Sequence, residues 1–372
     1  MTERRYLLPY GLAALVMAAS LALPLGPAPP IIARPTALTM TLTALLLFAL
    51  AGAFHPVAAS ALGLIGVILG AAVTLALLAD PDVAGAAPFA FWIIVAATWI
   101  AAASCVTRLA APRPQTKTMR QALGLAVPLL FGAFLFYLWE VAVRGFGIPS
   151  VLMPAPSAIA ARFLASIPTL SDDFVQTFVR SVLSGYVIGC LSGFLVAVIA
   201  DRIPFLGRGL LPLGNLASAL PIVGIAPIMV MWFGFDWQSK AAVVAIITFF
   251  PMLVNTVTGL AAAGSIEHDL MRSYAAGYWQ TLFKLKLPGA MPFVFNALKI
   301  NSTLALIGAI VAEFFGTPVR GMGFRISIEV ARMSLDMVWA EIALAALAGT
   351  AFYGLVALTE RAITFWHPSY RT

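Results

Sequence analysis

The sequence predicts an all-α membrane protein that crosses the bilayer about ten times. Of its 372 residues 62% are hydrophobic and only 10% are charged, and the mean hydropathy is +0.98. Soluble domains carry about 25% charged residues, so this composition suits lipid. The apolar residues come in long blocks and not in the alternating pattern of an outer-membrane barrel. A polytopic helical membrane protein is therefore the class that fits.

Ten apolar stretches are candidate transmembrane helices, because about twenty apolar residues are needed to cross the hydrocarbon core. The first half of the chain supplies spans at 6–26, 37–54, 57–79, 87–106 and 123–143. The second half supplies spans at 174–200, 210–235, 241–263, 292–314 and 338–365. The N-terminal run lacks a clear small-residue cleavage site, so we expect an uncleaved first span and not a signal peptide.

Lysine and arginine predict the orientation, because cytoplasmic loops are enriched in them. With the N-terminus inside, the basic clusters that precede the first span and follow the fourth, sixth and eighth spans are all cytoplasmic, and ten spans return the C-terminus inside. The acidic stretches 80–82 and 171–173, which we expect to be loops, then fall outside. Arg320, Arg325 and Arg332 also fall outside, against the rule. The net charge of +7 indicates basic cytoplasmic loops beside anionic lipid, and not a nucleic-acid surface.

The seventh span carries several prolines, among them Pro221 and Pro227. A proline removes a backbone hydrogen bond that neighbouring helices or a water-filled cavity must replace. Broken helices of this kind often mark transport pathways, although proline kinks also occur in plain bundles. We therefore treat Pro221, Pro227 and the nearby Met229 as candidates for a translocation path.

The ninth span is bracketed by Lys299 and Glu313 and contains Asn301 and Thr303. Charged groups at membrane depth usually face a cavity or another protein element. Two interpretations stay open: hydrogen bonding between helices, or a translocation path that includes Asn301, Thr303 and Glu313.

No catalytic constellation is evident in the sequence. A phosphate cradle of the G-x-x-x-x-G-K-[ST] type is missing, and the three histidines are far apart. Cys105 and Cys190 both lie inside apolar runs, which indicates neither a disulfide nor a metal site. We expect a chain that is not an enzyme and holds no cofactor or metal.

The segment DLMRSYAAGYWQTLFKLKLP at 269–288 is polar and aromatic although long apolar runs flank it. Its apolar positions predict an imperfectly amphipathic helix from about 267 to 285, on the cytoplasmic side, which Pro288 ends. Tyr274 and Trp279 lie on its apolar face. From the residues alone, a helix lying on lipid, a simple turn and a docking element for a partner all remain open.

This segment resembles the EAA loop of permease subunits of ATP-binding-cassette importers, whose pattern is Glu-Ala-Ala, three residues, Gly, nine residues, Ile, one residue, Leu-Pro. The spacing is kept throughout, while Ala275 stands in the glycine position and Gly277 follows two residues later. Two expectations stay open: a helix bend shifted to Gly277, or a straighter helix. The other matched positions, from the Glu place to the closing Leu-Pro, are Asp269, Leu270, Met271, Leu285, Leu287 and Pro288.

Further stretches from about residue 123 to the C-terminus resemble, in order, permeases for nitrate, sulfonates, taurine and thiamine-precursor pyrimidines. DLMRSYAA and the terminal Trp-His look most like the pyrimidine or vitamin-precursor members. The resemblance implies a type I importer core at 122–372 (174–366 at its centre, coupling helix 267–286), a linker at 111–121 and a four-span extension of unknown role at 1–110.

The same resemblance implies the partners. A second permease, expected to be an identical copy, would complete the pathway, and two separate ATPase subunits would carry ATP and Mg²⁺. A periplasmic or lipid-anchored binding protein would deliver the solute. The runner-up is an ion- or proton-coupled secondary transporter, which predicts an internal repeat and paired buried carboxylates; neither is clear in the sequence.

Overall fold

The computed structural model describes residues 4–23, 25, 31–53, 56–110, 117–217, 221–316 and 319–366. These residues are almost entirely helical, which confirms the predicted fold class. The chain divides into two compact units, Met1–Ile159 and Ala160–Thr372. Residues 111–116 of the predicted linker, His55 and His367 lie outside the described part of the chain.

The first unit is a bundle of long apolar helices. Its close helix contacts join the first helix to the second and fourth, and the third helix to the second and fourth. Gly63 on the third helix faces Tyr10 on the first: a Cβ on Gly63 would lie 2.4 Å from the Tyr10 hydroxyl, so a larger residue would displace that buried ring. The helices are α1 (Arg4–Leu21), α2 (Pro35–Ala53), α3 (Pro56–Leu77), α4 (Phe89–Ala110) and α5 (Lys117–Gly145).

Polar contacts between described residues of the first unit join its elements near their helix ends. Thr74 and Tyr137 share a hydrogen bond of 2.8 Å that joins α3 to α5. Arg34 forms a 2.5 Å ion pair with Asp80, in the turn after α3. The interior of this unit is thus held mainly by apolar packing, as expected of a lipid-embedded bundle of small and apolar residues.

The second unit contains three long helices that pack closely: α7 and α12 each lie against α10. Helix α6 (Pro156–Ala165) crosses the division between the units. The helices that follow are α7 (Ile167–Arg202), α8 (Pro204–Ala217), α9 (Ile222–Phe233), α10 (Trp237–Leu260), α11 (Ser265–Ser273), α12 (Tyr278–Glu313), α13 (Met322–Ala331) and α14 (Leu335–Ile363).

Two predictions about element bounds are wrong. The acidic stretch 171–173 is not a loop, because α7 runs without a break from Ile167 to Arg202 through a wider π segment at Val175–Val182. The seventh span is not one helix, because α8 ends at Ala217 and Pro221 caps the start of α9 with an extended backbone. Helix α9 has 12 residues, about 18 Å, too few to cross the bilayer alone.

Six helices in the described residues are long and apolar enough to cross a membrane, and four shorter apolar helices accompany them. Each of the ten predicted stretches overlaps one of these ten helices. Linker residues 117–121 already belong to α5. The number of helices that cross the bilayer stays a prediction.

Candidate functional site

The coupling segment, residues 265–288, forms a helix, a turn and the start of a second helix. Helix α11 ends at Ser273, and Ala275 takes the left-handed conformation with φ +52°. The N–H of Ala276 donates to Met271 O at 3.0 Å, and the N–H of Ala275 donates to Arg272 O at 2.9 Å. This pair of bonds is the Schellman motif, whose left-handed position is usually glycine. The geometry explains why a glycine suits the place that Ala275 occupies.

The single helix predicted over 267–285 is therefore wrong. The bend is not displaced to Gly277, which has φ −72° and caps the next helix, its N–H donating to Gln280 Oε1 at 3.2 Å. Pro288 does not end a helix either, because α12 continues from Tyr278 to Glu313. A π turn at Leu282–Lys286 precedes this proline. Such local widening lets a helix tolerate proline.

Asp201, at the end of α7, fixes the coupling segment to the bundle. Lys286 Nζ lies 2.8 and 3.0 Å from its two carboxylate oxygens. The Tyr278 hydroxyl donates to Asp201 Oδ2 at 3.0 Å, and the Arg202 guanidinium lies 4.5 Å from the centre of the Tyr278 ring. Leu282 is buried beneath this contact. The turn is consequently held at a fixed place on the molecule.

The outer face of the same segment is apolar and exposed. Tyr274 is 80% exposed, Trp279 58% and Leu270 56%. The Trp279 ring stacks on that of Phe283, with ring centres 6.1 Å apart. Asp269 is also exposed and pairs only weakly with Arg272, at 3.5 Å. Met271, Leu285 and Leu287 are partly buried and support this face from beneath.

The opposite end of α12 lies in a buried polar network around Glu313. The Thr177 hydroxyl on α7 lies 2.8 and 3.0 Å from the two Glu313 oxygens and accepts the N–H of Met322 at 2.8 Å. The N–H of Gly323 donates to Glu313 Oε2 at 2.8 Å. Gly321 has φ +135°, and a Cβ on it would lie 2.7 Å from Glu313 Oε1, so glycine is required there. Glu313 thus joins α7, α12 and α13.

Asp173 forms the second part of this network. Its Oδ1 accepts the N–H of Gly321 at 2.6 Å, and its Oδ2 accepts Arg325 Nε at 2.9 Å. The two other arginines that opposed the predicted orientation are paired in the same way, Arg320 with Asp172 at 3.4 Å and Arg332 with Glu329 at 3.2 Å. Because each of these arginines has a carboxylate partner, the stretch 320–332 carries less effective positive charge than its sequence indicates.

Lys240, in the first turn of α10, is fully buried. Its ammonium group donates to Phe235 O at 2.7 Å, to Ser239 Oγ at 3.2 Å and to Gly316 O. It therefore ties the chain that follows α9 to the chain that follows α12. In the sequence, Lys240 looks like an ordinary lysine at the end of a span. In the structure its ammonium group is buried among two carbonyl oxygens and one hydroxyl oxygen.

The structure does not gather the predicted path residues into one site. Asn301 is buried and donates to Thr248 O at 2.7 Å, a bond between α12 and α10. Met229 is buried in a cluster with Ala312. Thr303 is exposed, and its hydroxyl bonds within its own helix at 2.8 Å. Pro221 caps the start of α9, and Pro227 lies within that helix. Lys299 on α12 forms a 2.7 Å ion pair with Glu360.

Sequence reasoning missed three functional candidates: Asp173, Asp201 and Lys240. Each lies next to an apolar run, where a charged residue is ordinarily interpreted as marking a loop or a span end. The sequence did contain one signal for Asp173. The acidic stretch 171–173 and the arginines of 320–332 have opposite charges and fall on the same predicted side of the membrane.

Residues 185–365 match the family described as binding-protein-dependent transport system inner membrane component. A riboflavin transport system permease protein of Chloroflexus aurantiacus is 30% identical over 272 residues, 71% of this chain and 98% of that protein. A formylaminopyrimidine transport permease protein of Halalkalibacterium halodurans is 28% identical over 252 residues, 67% of this chain and 98% of that protein. A putative aliphatic sulfonates transport permease protein of Bacillus subtilis is 26% identical over 273 residues, 72% and 98% respectively.

Proposed function

We propose, from the premise that this chain belongs to the family of binding-protein-dependent transport system inner membrane components, that its coupling segment is the docking element for a separate ATPase subunit. The chain is a permease subunit of an ATP-binding-cassette importer and not an enzyme, and it works with ATPase and substrate-binding partners. Which residues meet the ATPase is the proposal. The exposed apolar face of the segment is the observation that carries it.

Large apolar side chains grouped on a surface indicate a partner or a membrane. Tyr274 and Trp279 lie on the two sides of the turn at Ala275, so the segment presents a bent surface and not one straight amphipathic stripe. A helix lying flat on lipid needs one continuous apolar face. The bent shape favours insertion into a groove on a protein.

The anchoring of the segment supports transmission of force. Lys286 and Tyr278 both bind Asp201, so a push on the turn reaches α7 directly. The turn also continues into α12, which has 36 residues and is about 54 Å long. This length exceeds the hydrocarbon core of about 30 Å. A rigid element of this kind can carry closure of the ATPases to the far end of the bundle, where it biases the equilibrium between inward- and outward-open states.

The remaining roles follow from the same scheme. Two copies of this chain form the pathway, both termini are cytoplasmic, and ATP and Mg²⁺ bind on the ATPase partner. The broken stretch that includes Pro221 and Pro227 lines the path with Thr303, whereas Asn301, Met229 and Glu313 hold the helices around it. Residues 1–110 form an extension whose helices lie in the lipid.

For the solute, we propose a nitrogen-containing ring compound of the vitamin or vitamin-precursor type. The support is the resemblance of the coupling segment to such permeases, together with the riboflavin and formylaminopyrimidine named for two relatives. Binding of such a compound to the substrate-binding protein encoded beside this chain tests the proposal. Tight binding of a sulfonate instead would contradict it.

The docking proposal is tested with two matched leucine truncations. Leu270 on α11 is 56% exposed, and Leu347 on the long helix α14 is 63% exposed. We expect Leu270→Ala to weaken retention of the ATPase on the purified permease and to lower uptake, while Leu347→Ala leaves both unchanged. Equal retention of the ATPase by both variants would contradict the docking role of α11.

A further inference from the structure

Helix α14 contains a buried carboxyl group, Glu341, that the coupling scheme does not use. Its side chain is fully buried, and no N–H or hydroxyl group in the described part of the chain donates a hydrogen bond to either carboxylate oxygen. An ionised carboxylate without donors costs several kcal/mol to bury. The ionised form of Glu341 therefore does not fit its surroundings.

The groups that face Glu341 are already committed to other partners. They are Asp173 from α7, Arg325 from α13 and, further away, Glu313 from the end of α12. Arg325 Nε binds Asp173 Oδ2 at 2.9 Å, and Glu313 takes its donors from Thr177 and Gly323. The remaining carboxylate near Arg325 is Glu329, which pairs with Arg332.

The carboxyl groups around this point outnumber the cations. Arg325 offsets the charge of Asp173, and the ammonium group of Lys240 on α10 offsets that of Glu313. Asp236, at the cap of α10, adds a further negative charge near Lys240. No cation remains for an ionised Glu341 among these neighbours. Within the described residues, no group of three or more His, Cys, Asp or Glu side chains is suited to a metal ion, so a proton is the ligand that fits.

We propose that Glu341 and Asp173 form a proton-binding site, in which Glu341 keeps its proton and donates it to the carboxylate of Asp173. The proton comes from bulk water and returns to it, and no other bond changes. With the proton in place, α7, α13 and α14 meet around one negative charge and one guanidinium. Without it, two buried negative charges face Arg325 alone, and this end of the bundle loosens.

The site makes the packing of α7, α13 and α14 around Glu341 dependent on pH, whether or not the coupling proposal is correct. Its effect on uptake does rest on the proposed function, because this end of α12 is where the bundle would open and close. The test below therefore uses the purified chain in lipid nanodiscs and does not measure transport.

Infrared spectroscopy reads the proton directly, because a protonated carboxyl group has a C=O stretching band separate from that of a carboxylate. Glu341→Gln imitates the protonated acid, so we expect this band to disappear while the unfolding temperature at neutral pH stays at the wild-type value. The drop in unfolding temperature between neutral and alkaline pH is expected to shrink in the variant. Glu341→Asp provides a second variant that keeps the acid, and its band should persist at a shifted frequency.

Glu360→Gln is the matched control, since Glu360 is buried in the same helix but pairs with Lys299 at 2.7 Å. We expect it to leave the carboxyl band intact and to lower the unfolding temperature. A wild-type spectrum in which neither Glu341 variant changes the carboxyl band would overturn the proposal. So would a Glu341→Gln variant as destabilised as Glu360→Gln.

Discussion

The two ends of helix α12 have opposite surroundings. At its start, Trp279 and Phe283 are exposed beside the turn at Ala275. Lys286 forms a partly buried ion pair with Asp201 there. At its other end, Glu313 is buried in a network with α7 and α13. One end therefore exposes apolar surface, and the other buries charge.

Both arrangements invert the usual distribution, in which apolar groups are buried and charged groups are exposed. An exposed apolar face costs little to the folded chain itself and favours a partner. A buried ionic network, in contrast, fixes how helices meet, because removal of one member leaves another charge unpaired. Substitutions at the first end should thus alter association, and substitutions at the second end should alter stability.

The strongest test of the buried end is Asp173→Ala. It leaves Arg325 and the N–H of Gly321 without their partner, so we expect a loss of about 3–5 kcal/mol in the free energy of unfolding. Asp172→Ala is the neighbouring control, because its pair with Arg320 is more than half exposed on both sides and contributes at most about 1 kcal/mol. Equal losses for the two variants, measured by unfolding in mixed micelles, would show that burial of the Asp173 network does not stabilise this end.

The anchor of the exposed end is tested by Lys286→Met. Its ion pair with Asp201 is largely buried, so we expect a loss of about 1.5–3 kcal/mol in unfolding free energy, as for hydrogen bonds to charged groups. Lys284→Met removes an exposed lysine two residues away and should have little effect. If Lys284→Met destabilises the chain as much as Lys286→Met, Asp201 is not the anchor.

Trp279→Ala separates association from stability. The side chain is 58% exposed, so the free energy of unfolding should change by no more than about 0.5 kcal/mol. Affinity for the ATPase should fall by about 2 kcal/mol, roughly 30-fold, as expected for an aromatic interface residue. Trp99→Ala on α4 removes a tryptophan that is 42% exposed in the first unit and should leave that affinity unchanged. A titration of ATPase onto immobilised permease measures both variants.

Ala275→Gly has the smallest expected effect and acts on the turn alone. A left-handed non-glycine residue costs about 1–2 kcal/mol, and the added freedom of glycine in the unfolded chain offsets about 0.4–1 kcal/mol of the gain. We expect a net stabilisation of about 0.5–1 kcal/mol. Ala276→Gly is the control, because Ala276 has no positive φ, and it should destabilise. Stabilisation by Ala276→Gly alone would show that the strain is not at Ala275.

The sequence was sufficient to locate the helices, because a block of about twenty apolar residues has few alternatives to a membrane span. It also located the coupling segment, through the spacing from Asp269 to Pro288. The turn inside the segment could not be predicted, since alanine favours helices and nothing local marks Ala275 as left-handed. Asp173 and Glu341 could not be paired either, because they are far apart in the sequence and meet only when α7 packs against α14.

We expect the exposed turn at Ala275 to contact the ATPase and not lipid. A photoreactive phenylalanine analogue in place of Tyr274, which is 80% exposed, tests it within the assembled complex in membranes. We predict a cross-link to the ATPase subunit, and none to the ATPase when the analogue replaces Leu347. Cross-linking of the Tyr274 position to lipid alone, in a complex that retains its ATPase, would contradict the account.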